Sequence, residues 1–164
     1  MSSKPSERIR KIMKAANRVH VTLYRRSKGK LGNKKANLPV LLITTNGRKS
    51  GKAHTNPVVY IEDGQDYLIS ASTGGMDWHP GWYFNLKQRP NVKIEIGEKI
   101  FNVQAVIMDG EERKVYYEKF KKASSNFVKY EKGTNREIPV VRLVPIGNRI
   151  EVLSDTLNES AKVE

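Results

Sequence analysis

Pro39-Val40-Leu41-Leu42-Ile43-Thr44-Thr45-Asn46-Gly47-Arg48-Lys49-Ser50-Gly51 changes the period of the chain from helical to extended. A short apolar run bounded by turn signals reads as a buried strand, here over 39–45. Asn46-Gly47 is a strong hairpin signal and Gly51 closes the loop. A second strand is expected over 52–62. Pro57 lies inside it and cannot donate to a ladder, so that part belongs at an edge or a bulge. Asp63-Gly64 then turns the chain into a third strand over 67–72. Turns this short make the pairing antiparallel.

Downstream, Thr73-Gly74-Gly75-Met76-Asp77-Trp78-His79-Pro80-Gly81 is too glycine-rich for regular structure, and a short helix is expected over 82–88, before Pro90. Val92, Ile94 and Ile96 alternate with Lys93 and Glu95, and Phe101, Val103, Ala105 and Ile107 alternate with Asn102 and Gln104. Gly97-Glu98 joins the two runs as a hairpin. Asp109 reads as a helix N-cap, with Glu111 and Glu112 in the first turn and Lys119, Lys121 and Lys122 in the last, an order that suits the helix dipole. A final strand is expected over 138–144. The sum is an α+β chain, mainly β, with about six largely antiparallel strands and short helices. Closure into a small barrel disposes of the edges.

Upstream, residues 5–26 read as an amphipathic helix, with Ile9, Ile12, Met13, Ala16, Val19 and Leu23 at spacings of three and four. That stripe either packs on the barrel or a second copy, or lies on an anionic bilayer; packing or dimer contact is the favoured reading. The organisation is then a basic arm and linker at 1–35, a barrel at 36–153 and a flexible polar tail at 154–164.

The 164 residues suit one ordinary domain. The absence of cysteine removes disulfides, thiolate metal sites and cysteine nucleophiles. His20, His54 and His79 lack metal-ligand spacing, so no metal is expected. Without an apolar span or secretion signal, the expected location is the cytoplasm, with the inner membrane face as a peripheral station. Residues 1–35 hold 12 of the 30 lysines and arginines against one acid, Glu7, whereas from residue 53 onward 15 basic residues face 16 acidic ones. A basic arm plus a basic loop on a neutral body suits local anionic partners, not the even basic coat that would argue for nucleic acid.

Four segments could carry chemistry. Thr44, Thr45, Arg48, Lys49 and Ser50 crowd hydroxyls, a guanidinium, an ammonium and turn amides into one loop, as an anionic oxygen cluster requires; a solvated hairpin tip would look the same. The start of the second strand, His54-Thr55-Asn56-Pro57-Val58-Val59, offers unpaired backbone groups to a planar ring, or is an ordinary edge. Ser70-Ala71-Ser72-Thr73 with Gly74-Gly75 lets a ligand approach the backbone closely, or is a plain turn. Trp78, Trp82, Tyr83 and Phe84 could wall a flat heterocycle, or plug the core. His79 is read as structural or as a proton donor.

In order along 38–145, Leu41-Leu42-Ile43-Thr44-Thr45, Gly47-Arg48-Lys49-Ser50-Gly51, Thr55-x-Pro57, Ala71-Ser72-x-Gly74-Gly75, His79-Pro80-x-Trp82-Tyr83-x-Asn85-Leu86, and Tyr130 before Ile138-Pro139-Val140-Val141 resemble the deazaflavin-dependent nitroreductase family. The resemblance implies a split β-barrel related to FMN-binding proteins and the coenzyme F420, with FMN as the alternative. It implies that Arg48, Lys49 and Ser50 hold the phosphate, and that residues 54–59 line the ring and its linker. Ser70, Ala71, Ser72 and Thr73, with Gly81, Trp82, Tyr83, Phe84 and Asn85, complete the site. Tyr130 closes over the ring or faces the substrate, and Tyr130 and Ser72 are the hydroxyls expected to donate a proton. The implied reaction is hydride transfer to a small apolar or aromatic acceptor: a nitroaromatic, quinone or enone.

Overall fold

The computed structural model describes residues 4–147 and the backbone of 151–152. Among them the elements run α1 (Glu7–Arg26), β1 (Lys34–Lys35), β2 (Leu38–Asn46), β3 (Ala53–Asp63), β4 (Asp66–Ser70), α2 (Gly81–Gln88), β5 (Asn91–Ile96), β6 (Lys99–Met108), α3 (Gly110–Ala123), α4 (Asn126–Lys132), β7 (Val140–Pro145) and β8 (Glu151–Val152).

Six strands close a ring. β2 pairs with β3, β3 with β4, β4 with β7, β7 with β6 and β6 with β5, every pair antiparallel. β5 returns to β2 through Ile43 opposite Ile94, which closes the barrel. β4 reaches β3 only from Tyr60 to Asp63, so the stretch around Pro57 has β2 as its strand neighbour on one side. That is the edge the proline required. Alternation sorts the side chains. Leu41, Ile43, Val58, Ile69, Val103 and Leu143 fill the interior, and Trp82, Tyr83 and Leu86 of α2 join that cluster. Leu68, Tyr117, Phe120, Phe127 and Ile138 form a second cluster outside the barrel, involving α3 and α4. A fully buried Leu or Phe contributes about 1.5–3 kcal/mol by leaving water.

Several expectations differ from the structure. β4 stops at Ser70 and β7 starts at Val140, because beyond the bond from Ala71 N–H to Pro139 O the proline has no N–H to return and Ala71 O is taken by Arg136. Residues Thr73–Gly75, expected to be irregular, make a tight turn in which all three φ values are positive (48°, 63° and 81°), so it is no regular right-handed helix. β1, β8 and α4 were not expected; two-residue strands and a seven-residue helix carry little periodicity. Asp109 stands at the N-cap of α3, but its side chain makes no capping bond.

The arm helix is the largest correction. α1 packs on the barrel, yet through Val21 and Tyr24 against Leu42, not through the apolar stripe. Ile12, Val19 and Leu23 are 59%, 61% and 48% exposed. Polar bonds set this rotation. Asn17 Nδ2 donates to Asn56 Oδ1 (3.1 Å), Tyr24 Oη donates to Val40 O (3.1 Å) and accepts from Gly97 N–H (2.9 Å), and Arg25 forks onto the buried Glu95 carboxylate. The tail at 154–164 lies outside the described residues.

Candidate functional site

The β2–β3 loop is held from within and from α2. Gly47 N–H donates to Lys52 O (2.8 Å) and Gly51 N–H to Gly47 O (2.8 Å). Lys52 N–H reaches Ser50 Oγ at 3.3 Å. A Cβ at residue 47 would sit 2.7 Å from Ser50 Oγ and 3.2 Å from His54 Nε2, so a side chain there would displace both, and His54 lies against the loop. Asn85 latches the loop to α2. Its Oδ1 accepts from Arg48 N–H and its Nδ2 donates to Thr45 Oγ1, each at 3.0 Å, and the residue is buried. The Arg48 guanidinium lies 4.8 Å from the Phe84 ring centroid. Among the described residues, the amides of Lys49 and Ser50 have no partner. Exposed amides, a guanidinium and an ammonium around one turn form a cradle for an anion.

Phe84 belongs to an aromatic triangle with Tyr83 (5.6 Å) and His79 (5.8 Å), and His79 lies 5.0 Å from Tyr83. On the far side of His79 stands Arg136, whose Nη1 donates to His79 Nδ1 at 3.0 Å. The same guanidinium binds Met76 O, Ala71 O and Ser72 O at 2.8–3.0 Å. A cavity of about 510 Å³ opens beside it, lined by His79, Tyr83, Lys87, Met108 and Arg136 among others. Burial, then the charges of Arg136 and Lys87, hold the His79 imidazole below its ordinary value, so its ring is biased to the neutral form. Burial raises the Tyr83 phenol, which keeps it protonated.

The 70–75 segment carries two orphans. Ser70 Oγ and Thr73 Oγ1 are buried with no hydrogen-bond partner, and Thr73 adopts a φ of +48°. Buried hydroxyls are ordinarily paired, so a bound polar group or water is the expected complement. The donors of the loop, the aromatic triangle and these orphans fit a ligand that combines an anionic tail with a flat heterocycle.

The structure brings Arg48, Lys49, Ser50, His54, Phe84 and Asn85 together around one loop, and holds Ala71 and Ser72 on Arg136, with Ser70 and Thr73 as their chain neighbours. It divides residues 54–59. Thr55 Oγ1 meets Thr44 Oγ1 (2.8 Å) beside Arg25, and Asn56 bonds α1. Pro57 pairs with Leu42, Val58 points into the barrel core, and Val59 packs on the outer cluster. Successive strand residues face opposite ways, so these six side chains cannot form a single wall. Gly81 is exposed at the start of α2, while Trp82 is buried in the barrel cluster. Tyr130 stacks edge-on against Phe127 (5.3 Å), and its backbone lies where a Cβ on Gly75 would clash, at 2.9 Å. Arg136 escaped the sequence reading, since a single arginine 57 residues from His79 leaves no local pattern.

A closed antiparallel barrel with a glycine-bounded basic loop latched to an aromatic helix start defines a class, the split-barrel coenzyme-binding proteins. Within that class the chain belongs to the F420H(2)-dependent quinone reductase family, whose pattern matches residues 16–145. An F420H(2)-dependent quinone reductase of Mycobacterium tuberculosis (strain ATCC 25618 / H37Rv) is 36% identical over 130 residues, 77% of this chain and 87% of the relative. A solved F420-H2 dependent reductase (FDR-A) is 37% identical with a TM-score of 0.59, covering 64% of this chain and 93% of that one. A further chain, described as a domain-swapped dimer, is 32% identical with a TM-score of 0.61, covering 77% of this chain and 95% of that one. The family carries the name of quinone acceptors, whereas the sequence resemblance pointed to nitroreductases; the coenzyme is common to both.

Proposed function

We propose that this chain is a coenzyme F420-dependent oxidoreductase acting on a quinone-type acceptor. The latch between loop and helix carries the reading. Through Asn85 and Phe84 it places an anion cradle next to a flat aromatic wall, the two features a phosphorylated deazaflavin needs. Bound in reduced form, the coenzyme supplies a hydride. Arg48, Lys49, Ser50 and the loop amides hold its phosphate, and the basic arm offers charge to its glutamates. Ser70, Ala71, Ser72 and Thr73, with Gly81, Tyr83 and Phe84, border the ring. Trp82 and Val58 support that border from the barrel core. The hydroxyl of Tyr130 or Ser72 donates a proton at the acceptor oxygen. Nitroaromatics and enones are the other acceptors that this chemistry admits. An anaerobic assay with reduced F420 tests the reading: a soluble quinone is expected to re-oxidise the coenzyme only with protein present. Coenzyme binding without turnover of any quinone, nitroaromatic or enone would leave a carrier, not an enzyme.

The exposed stripe of α1 supports a further reading of where the enzyme works. Ile12, Val19 and Leu23 are each about half exposed or more, and Lys11 and Arg18 are exposed on the same helix. An apolar stripe beside cations suits an anionic bilayer surface, where quinones also reside. No described helix is long and apolar enough to cross a membrane. The protein is expected to pellet with anionic but not neutral vesicles, and Val19→Asp to abolish pelleting. A Val19-dependent dimer that ignores vesicles would instead assign the stripe to a second copy.

A further inference from the structure

Arg136 precedes β7, where the charge of Asp77 acts on it. It spends its guanidinium on backbone: Nη2 donates to Ala71 O (3.0 Å) and Ser72 O (2.8 Å), and Nε to Met76 O (2.8 Å). Nη1 donates to His79 Nδ1, and because a guanidinium has no acceptor, the imidazole proton must reside on Nε2. One half-buried side chain thus ties down both ends of the 71–79 segment.

The peptide bond turns this into a statement about donors. No cis bond occurs among the described residues, so each amide points opposite to the carbonyl of the residue before it. Arg136 holds the carbonyls of Ala71 and Ser72 toward itself. The N–H groups of Ser72 and Thr73 therefore point away from it. Neither amide has a partner among the described residues. Ser72 sits in the right-handed region and Thr73 at positive φ, the sequence of conformations that makes successive amides converge on an acceptor. The cation behind the two carbonyls polarises both peptides and strengthens both donors.

We propose that Arg136 is a positioning residue, which presents the Ser72 and Thr73 amides as a fixed donor pair to a carbonyl oxygen of the coenzyme's heterocycle. The inference rests on the coenzyme reading above. Lysine at this position would keep the charge and lose the fork.

The test compares the full-length chain with Arg136→Lys and Arg136→Gln by F420 fluorescence titration and by amide NMR with and without F420. In the wild type, saturating F420 is expected to shift the Ser72 and Thr73 amide protons downfield. In Arg136→Lys, which keeps the charge, those shifts should disappear. F420 binding should weaken roughly tenfold, the value of one such hydrogen bond. The KM for F420 should rise more than kcat falls. In the coenzyme-free protein, His79 Nδ1 should lose its bound-acceptor nitrogen shift in Arg136→Gln. Unmoved Ser72 and Thr73 amides in the saturated wild type would overturn the proposal, as would binding within twofold in Arg136→Lys. A wild type that does not bind F420 at all would overturn the coenzyme reading, and an unchanged His79 signal in Arg136→Gln would count against the clamp itself.

Discussion

Asn85 shows how one amide can set a binding loop. Both ends of its side chain are consumed, one by the Arg48 backbone and the other by Thr45, and the residue is buried. Asn85→Ala leaves the buried Thr45 hydroxyl and the half-buried Arg48 amide without their partner and is expected to cost about 1–3 kcal/mol of stability, read by urea denaturation. It should weaken coenzyme binding as well, since Arg48 loses its anchor. Unchanged stability would mean that water replaces the amide. His79 gives a pH signature. Its folded-state value lies below the ordinary one of about 6.5, chiefly from burial and then from Arg136 and Lys87. On acidification the unfolded chain takes up this proton first, so the histidine's contribution to stability falls as pH drops through about 6.5 and levels off below the folded value. His79→Gln should therefore lose less stability than the wild type between about pH 7.5 and 5.5. Equal losses would contradict this assignment.

At the scale of elements, α1 is fastened by Tyr24, whose buried hydroxyl bridges β2 at Val40 and the β5–β6 turn at Gly97. Tyr24→Phe keeps the ring packing and strands both backbone groups. The expected loss is about 1–3 kcal/mol in a denaturation melt, with helix α1 exchanging its amides faster. A loss confined to a few tenths would mean that the ring, not the hydroxyl, fastens the helix. The barrel strands were legible because alternation and turn residues act over short distances: Asn46-Gly47, Asp63-Gly64 and Gly97-Glu98 all fall where strands reverse. What escaped was fixed by distant partners. The rotation of α1 depends on Glu95, 70 residues from Arg25, so the apolar stripe is not the face that packs on the barrel. Arg136 and the double duty of Asn85 depend on pairings 37 to 65 residues apart that no local spacing encodes. The loop at 44–51 and the 70–75 segment were visible as candidate binding segments because glycine, hydroxyl and basic residues cluster there in sequence. How residues 54–59 divide between faces follows from strand geometry once the register with β2 is known.

For the whole molecule, the closed ring of β2, β3, β4, β7, β6 and β5 gives a frame on which two non-strand segments are pinned, the basic loop by Asn85 and the 71–79 segment by Arg136. The +13 charge is concentrated in the first third of the chain, where α1 and the loop lie, and the rest is nearly balanced. Such a field favours a coenzyme that carries phosphate and carboxylates, with an affinity that declines as salt screens it. The most direct test is a fluorescence titration of the purified chain with F420 and, separately, FMN, repeated on Arg48→Ala/Lys49→Ala. Saturable F420 binding that weakens on the order of tenfold or more in the double variant, each lost charged contact being worth about 1.5–3 kcal/mol, is the predicted result. Tight FMN binding without F420 binding, or an F420 affinity indifferent to the loss of both cations, would contradict it.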